Sequence, residues 1–168
     1  MTSTLEVPPD NGQPDAGLTA LSAQKGTIMQ HSILVIDDDA EIRNALQLVL
    51  KKAGYHPLLA EGGQAAIALM KQDEQAAGVA AILCDLEMPG MDGATVIAHF
   101  HRHHPMIPIV VLSGATPTQF LDAVGQQGVG DWIRKPATNE AVLEKVRGAV
   151  HLFELRKAGL ASKDHPAT

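Results

Sequence analysis

From Ser32 onward the chain alternates short apolar runs with stretches of amphipathic periodicity. Ser32–Ile36 is apolar and β-rich and stops at three consecutive aspartates, as a buried strand does at a sheet edge. Ile42, Ala45, Leu46, Val49 and Leu50 then recur at i, i+3, i+4, i+7 and i+8, the stripe of an amphipathic helix. Asp39 is its expected N-cap and Gly54 its stop. Tyr55–Ala60 reads as a second strand, placed at a sheet edge by Pro57, which has no N–H for a ladder. Glu61-Gly62-Gly63 is a turn, and Gln64–Gln72 a short Ala-rich helix.

Val79–Cys84 is continuously apolar, the signature of a central parallel strand covered on both faces. Ala94–His101 follows as a third helix and Ile107–Leu112 as another buried strand. Thr118–Gln127 is expected to form a fourth helix, weakened by about 1 kcal/mol at Gly125 relative to Ala. Asp131–Arg134 is the fifth strand. Thr138 caps a last helix that carries Val142, Val146, Ala149 and Phe153 on one stripe. Strands and helices alternating in this order predict an α/β fold, a doubly wound five-stranded parallel sheet with five helices. Residues 1–30, with Pro8-Pro9-Asp10-Asn11-Gly12 and no periodicity, read as a disordered extension before a domain at 31–156. Met29 is an alternative start, and 157–168 reads as a flexible tail.

Composition narrows the function classes. The chain has 168 residues, 45% of them hydrophobic, enough for a core in one domain. A net charge of -6 argues against direct nucleic-acid binding, which needs Lys and Arg to neutralise phosphates. One cysteine, Cys84, excludes an internal disulfide framework and fits a reducing cytoplasm. No apolar stretch approaches the ~20 residues of a membrane span, and no secretory signal opens the chain.

The chemistry concentrates where strands end. A parallel sheet gathers the carboxyl ends of its strands at one edge, where ligands bind. That edge would hold Asp37, Asp38 and Asp85, the hydroxyl of Ser113 and the ammonium of Lys135. Crowded carboxylates are costly unless a cation neutralises them, and few oxygen ligands suit Mg²⁺, which keeps waters and joins substrate phosphate. Helix N-caps favoured by the dipole account for one or two of the acids, but not for Ser113 and Lys135 on other strands. Asp85, on the central strand, is the best nucleophile toward phosphorus, forming an acyl phosphate. Lys135 and Ser113 would supply donors to the equatorial oxygens. The Lys135–Pro136 bond is one where the cis form costs only about 0.5–1 kcal/mol.

These blocks carry a resemblance. Ile33-Leu34-Val35-Ile36-Asp37-Asp38-Asp39, Asp85-Leu86-Glu87-Met88-Pro89-Gly90-Met91-Asp92-Gly93, Ser113-Gly114 and Lys135-Pro136 resemble the receiver domain of bacterial two-component response regulators, over about residues 31–156 and in the right order. The resemblance implies a flavodoxin-like sheet of order 2-1-3-4-5. It implies that Asp85 accepts a phosphoryl group from a sensor histidine kinase or phosphotransfer protein. It implies Mg²⁺ held by Asp38, Asp85 and the backbone carbonyl of Glu87, with Asp37 assisting through water. Ser113 then matches the switch hydroxyl, Lys135 the lysine that pairs with the phosphoryl group, and Trp132 the aromatic that reorients on activation. Three positions depart from the family pattern: Trp132 replaces a smaller aromatic, Ala137 a common Phe, and Gly130 a polar residue.

The function expected is a stand-alone switch that signals by protein contact, or a phosphoryl relay or sink. Its readout is expected on the fourth helix, fifth strand and last helix, where Leu143, Val150, Leu152 and Leu155 broaden the apolar surface enough for a partner or a homodimer. It would catalyse only its own Mg²⁺-dependent phosphotransfer and dephosphorylation. A dehalogenase-like phosphatase would need a second Asp where Glu87 stands. A phosphorylation-independent receiver-like module would not need the full set of Asp37, Asp38, Asp85, Ser113 and Lys135. His99 and His103 at i, i+4 could share a metal, but a solvated helix C-terminus, where imidazolium suits the dipole, explains them. Cys84 reads as a small buried residue ending a strand.

Overall fold

The computed structural model describes residues 31–72, 74–90, 93–114 and 129–160. The expected N-terminal extension at 1–30 and fourth helix at 118–127 lie outside the described residues. Five strands form one parallel sheet: β1 (Ser32–Ile36), β2 (His56–Ala60), β3 (Val79–Asp85), β4 (Ile109–Ser113) and β5 (Val129–Arg134), in the order β2-β1-β3-β4-β5. This is the flavodoxin-like order. Pro57 sits on β2, which is the edge strand its missing N–H requires.

Four α-helices cover the sheet among the described residues: α1 (Ala40–Lys52), α2 (Gly63–Gln72), α3 (Gly93–His103) and α4 (Asn139–Lys157), with a 3₁₀ turn at Glu74–Gly78. Successive residues of a strand face opposite sides, and β1 divides the core accordingly. Leu34 and Ile36 join Val96, Ile97 and Phe100 of α3 and Ala66 of α2. Ile33 and Val35 join Leu46 and Leu50 of α1 and Val142, Val146 and Ala149 of α4. Every residue of β3 is buried, which explains its unbroken apolar run. A register irregularity between β1 and β3 pairs Ser32 with Val79 and Ile33 with Ala81.

Caps fix the helix entries. Asp39 accepts the N–H of Glu41 at 2.8 Å and of Ile42 at 3.3 Å, and Thr138 Oγ1 accepts the N–H of Ala141 at 3.2 Å. Gly54, with φ 89°, closes α1. Two expectations shift. Ala45, read as part of the buried stripe of α1, is exposed, so Leu46 and Leu50 carry that face. Lys157 belongs to α4, and Ala158–Leu160 finish its C-terminal turn rather than starting a loose tail; Leu160 N–H donates to the Leu155 carbonyl at 2.8 Å. No helix among the described residues is long and apolar enough to cross a membrane.

Candidate functional site

Asp37 follows β1, Asp85 ends β3, Ser113 ends β4 and Lys135 follows β5, so all four stand at the carboxyl edge of the sheet. Parallel pairing makes this a consequence of topology: β3 lies between β1 and β4, so Asp85 is central. The backbone ties the edge together. Asp37 N–H donates to the Ala60 carbonyl at 3.2 Å, Leu86 N–H to Leu112 at 3.0 Å and Lys135 N–H to Ser113 at 2.9 Å. The Lys135–Pro136 peptide is cis, as its X–Pro context permits.

Lys135 Nζ lies 3.1 Å from Asp85 Oδ1 and 3.2 Å from Asp37 Oδ2. Asp37 and Ser113 have no exposed surface and Asp85 only 3%, whereas Asp38 is exposed. The other oxygen of Asp37 accepts the Asp39 N–H at 2.9 Å, and Asp85 Oδ1 also accepts the Glu87 N–H at 3.2 Å. Arg43, one turn into α1, donates from a guanidinium nitrogen to the Asp37 carbonyl at 2.7 Å.

The charge balance is unfavourable for a bare site. Burial raises the Asp85 pKa above the ordinary carboxylate range, with Asp37 adding to the rise; the Glu87 N–H and Lys135 offset this only in part. Burial works against the Lys135 ammonium, but Asp85 and Asp37 together outweigh it and raise its pKa. One ammonium therefore faces more negative charge than it neutralises. Asp37, Asp38 and Asp85 each present a carboxylate oxygen within 4.8 Å of the others. Hard oxygen donors, net negative charge and one exposed member fit a divalent cation that keeps water, as Mg²⁺ does.

The remaining assigned residues sit around this centre. The Glu87 carboxylate flanks Gly114, its oxygens 3.6 and 3.8 Å from where a Cβ would stand. Trp132 on β5 pairs in register with Val111 and packs half-buried on the face shared with α3. Next to it, Asp131 forms an ion pair of 2.9 Å with Lys145, linking β5 to α4. Gly130 approaches β4 closely: a Cβ there would lie 3.3 Å from the Ile109 carbonyl oxygen. A polar side chain does not fit that gap without displacement.

Two supporting residues escaped sequence reasoning. A Cβ on Gly93 would meet Leu86 Cα at 2.5 Å and the Asp85 carbonyl oxygen at 2.6 Å, so α3 starts in backbone contact with the strand that carries Asp85. Its signal was the Asp92-Gly93 pair ending the motif. Arg43 had no signal beyond its place on the first turns of α1.

Known proteins resemble this chain in sequence and in fold. NtrC, a DNA-binding transcriptional regulator of Salmonella typhimurium, is 30% identical over 142 residues, covering 83% of this chain and 29% of that protein. An NtrX-like putative response regulator of Rickettsia bellii is 24% identical, over 78% of this chain and 27% of its own length. The chain thus spans under a third of these curated relatives. In fold it is similar to a CheY-like receiver domain protein from Methanospirillum hungatei, with TM-score 0.68, 21% identity, and coverage of 75% of this chain and 98% of that one. Residues 33–147 match the family model of the response regulator receiver domain, and the chain belongs to that family.

Proposed function

We propose that the chain is a phosphorylation switch in which Asp85 accepts a phosphoryl group from a phosphohistidine of a sensor kinase or phosphotransfer protein. The observation that carries this reading is Lys135 held between buried Asp37 and Asp85 at the sheet edge. An Asp85 carboxylate oxygen bonds to phosphorus as the phosphorus–nitrogen bond of the donor breaks. Imidazole leaves with the bonding pair, and an acyl phosphate forms on Asp85. Water attack at phosphorus later returns the free carboxylate and inorganic phosphate.

Asp37, Asp38 and Asp85, with the Glu87 carbonyl, would hold Mg²⁺, which when bound supplies positive charge to the phosphoryl oxygens. Lys135 supplies a second cation there. Ser113 donates its hydroxyl to a phosphoryl oxygen, which draws the end of β4 toward Asp85. Trp132 is the neighbouring aromatic through which that shift reaches the surface of β5 and α4. No other reaction is assigned to the site.

The output is a protein contact through β5, α4 and the 118–127 segment, made in the cytoplasm. The likeness to a CheY-like receiver domain protein supports signalling by direct contact of the receiver fold itself. The longer relatives, of which this chain matches under a third, support a receiver serving a larger regulator.

The test is intact mass after incubation with acetyl phosphate and Mg²⁺. One phosphoryl adduct, absent without Mg²⁺ and absent in Asp85→Asn, is expected. Beryllofluoride should change the fluorescence of Trp132, the chain's single tryptophan. Failure of both would leave a receiver-shaped module that is not phosphorylated. Gel filtration of the beryllofluoride form separates self-association from contact with a different partner.

A further inference from the structure

Four histidines crowd the end of α3 and the turn after it: His99, His101, His103 and His104. The phosphorylation site makes no use of them. The first turn of α3 lies against Leu86, and at about 1.5 Å per residue His99 and His103 sit roughly 9 and 15 Å further along the helix.

His99 and His103 are one helical turn apart, and their rings stack with centroids 4.2 Å apart and planes 28° from parallel. His103 Nδ1 lies 2.8 Å from the His99 carbonyl oxygen. A carbonyl only accepts, so this bond requires a proton on Nδ1. In the neutral ring that leaves the lone pair on Nε2, on the side away from the helix backbone. A hydrogen bond from one imidazole nitrogen to a backbone carbonyl is the arrangement that orients histidine metal ligands. His103 is exposed and His99 partly so. Phe100 meets the His99 ring edge-to-face at 5.5 Å and limits its swing.

We propose that His99 and His103 form a bidentate site for a divalent transition metal that prefers nitrogen: Cu²⁺, Ni²⁺ or Zn²⁺. Histidines at i and i+4 on one helix face lie close enough to share a single ion once rotation of the stacked rings brings their in-plane lone pairs together. Imidazole pairs select these metals over Mg²⁺ and Ca²⁺, with Cu²⁺ strongest. The groups that act on His99 are its neighbours His103 and His104 and, from α2, Lys71. Burial first, and then these neighbours, lower the His99 pKa, which favours the neutral ring that binds metal. The chain thus has two cation sites of opposite chemistry, oxygen donors at one edge of the sheet and nitrogen donors near the other.

The experiment is Cu²⁺ titration followed by electron paramagnetic resonance, with Mg²⁺ in excess to occupy the acidic cluster. One equivalent should bind with nitrogen hyperfine structure from two imidazoles. His99→Ala and His103→Ala should each weaken binding at least about tenfold. His101→Ala and Asp85→Asn should leave it unchanged. His103 is exposed, so its substitution keeps the fold, and circular dichroism checks the His99 variant. Unchanged affinity in both His99→Ala and His103→Ala overturns the proposal, as does loss of binding in His101→Ala or Asp85→Asn.

Discussion

Lys135 and Asp37 stand 98 residues apart in sequence and meet at 3.2 Å, the lysine bridging on to Asp85 at 3.1 Å. This ammonium is the main local counterweight to the acidic edge. Replacing it with Met removes the charge but keeps the apolar stem. Lys135→Met should cost about 2–4 kcal/mol in the absence of divalent cations, because buried carboxylates lose their partner. Mg²⁺ should recover part of that loss. The rate of phosphorylation by acetyl phosphate should fall roughly 10²–10³-fold, as for loss of one transition-state donor. Urea unfolding with and without Mg²⁺, and intact mass against time, read the two effects.

Asp85→Asn should act in the other direction on stability. The folded pKa of Asp85 is raised, with burial the main cause, so its ionised form is tolerated less well in the folded protein than in the unfolded chain. That penalty is absent below the unfolded pKa, grows as pH rises through the carboxylate range, and is complete above the folded value. In EDTA, Asp85→Asn should therefore raise the urea midpoint at pH 7.5, with a smaller gain as pH is lowered. A lower midpoint for the variant at pH 7.5 would show that Lys135 already compensates the site.

Two glycines in helices should respond oppositely to alanine. Gly93→Ala forces a methyl group against the backbone of Leu86 and Asp85, which cannot yield as a side chain would, and should cost about 1–3 kcal/mol or more. Gly148, inside α4, has open space where its Cβ would be, so Gly148→Ala should stabilise by roughly 0.5–1 kcal/mol. Thermal melts of the two variants beside wild type decide both. The Gly93 substitution should also slow phosphorylation, since it displaces the strand end that carries Asp85.

Cys84 has no exposed surface, and burial, with Asp85 and Asp37 adding, pushes its thiol pKa far up. Thiolate is the reactive form. Reaction with a disulfide reagent at pH 8 should be slow in the native protein and fast in urea. Fast native labelling would mean that β3 opens frequently.

Much of the fold was legible because its signals are local. The apolar run of β3 reports burial on both faces, and the period of Val142, Val146 and Ala149 reports one helix face against the sheet. Pro57 marked an edge, and Asp39 and Thr138 marked helix starts, because each acts through its own backbone or the next turn. Ala45 was misread because an alanine at the border of a stripe gains little by burial, and the helix rotation follows Leu46 and Leu50.

By itself, then, the sequence determined the alternation of strands and helices, their faces, and the set of acidic, hydroxyl and ammonium groups that end the strands. Only the tertiary structure decided how those groups meet. Strand order set β3 between β1 and β4, which brings Lys135 onto both Asp37 and Asp85. Close packing decided that nothing larger than glycine fits at position 93. Arg43 reaching the Asp37 carbonyl, and the buried Arg156 reaching the Pro105 carbonyl at 3.4 Å, depend on how helices seat against strand ends. Periodicity records which face of an element avoids water. It does not record which residue of another element arrives there, since that is settled by packing across the whole sheet.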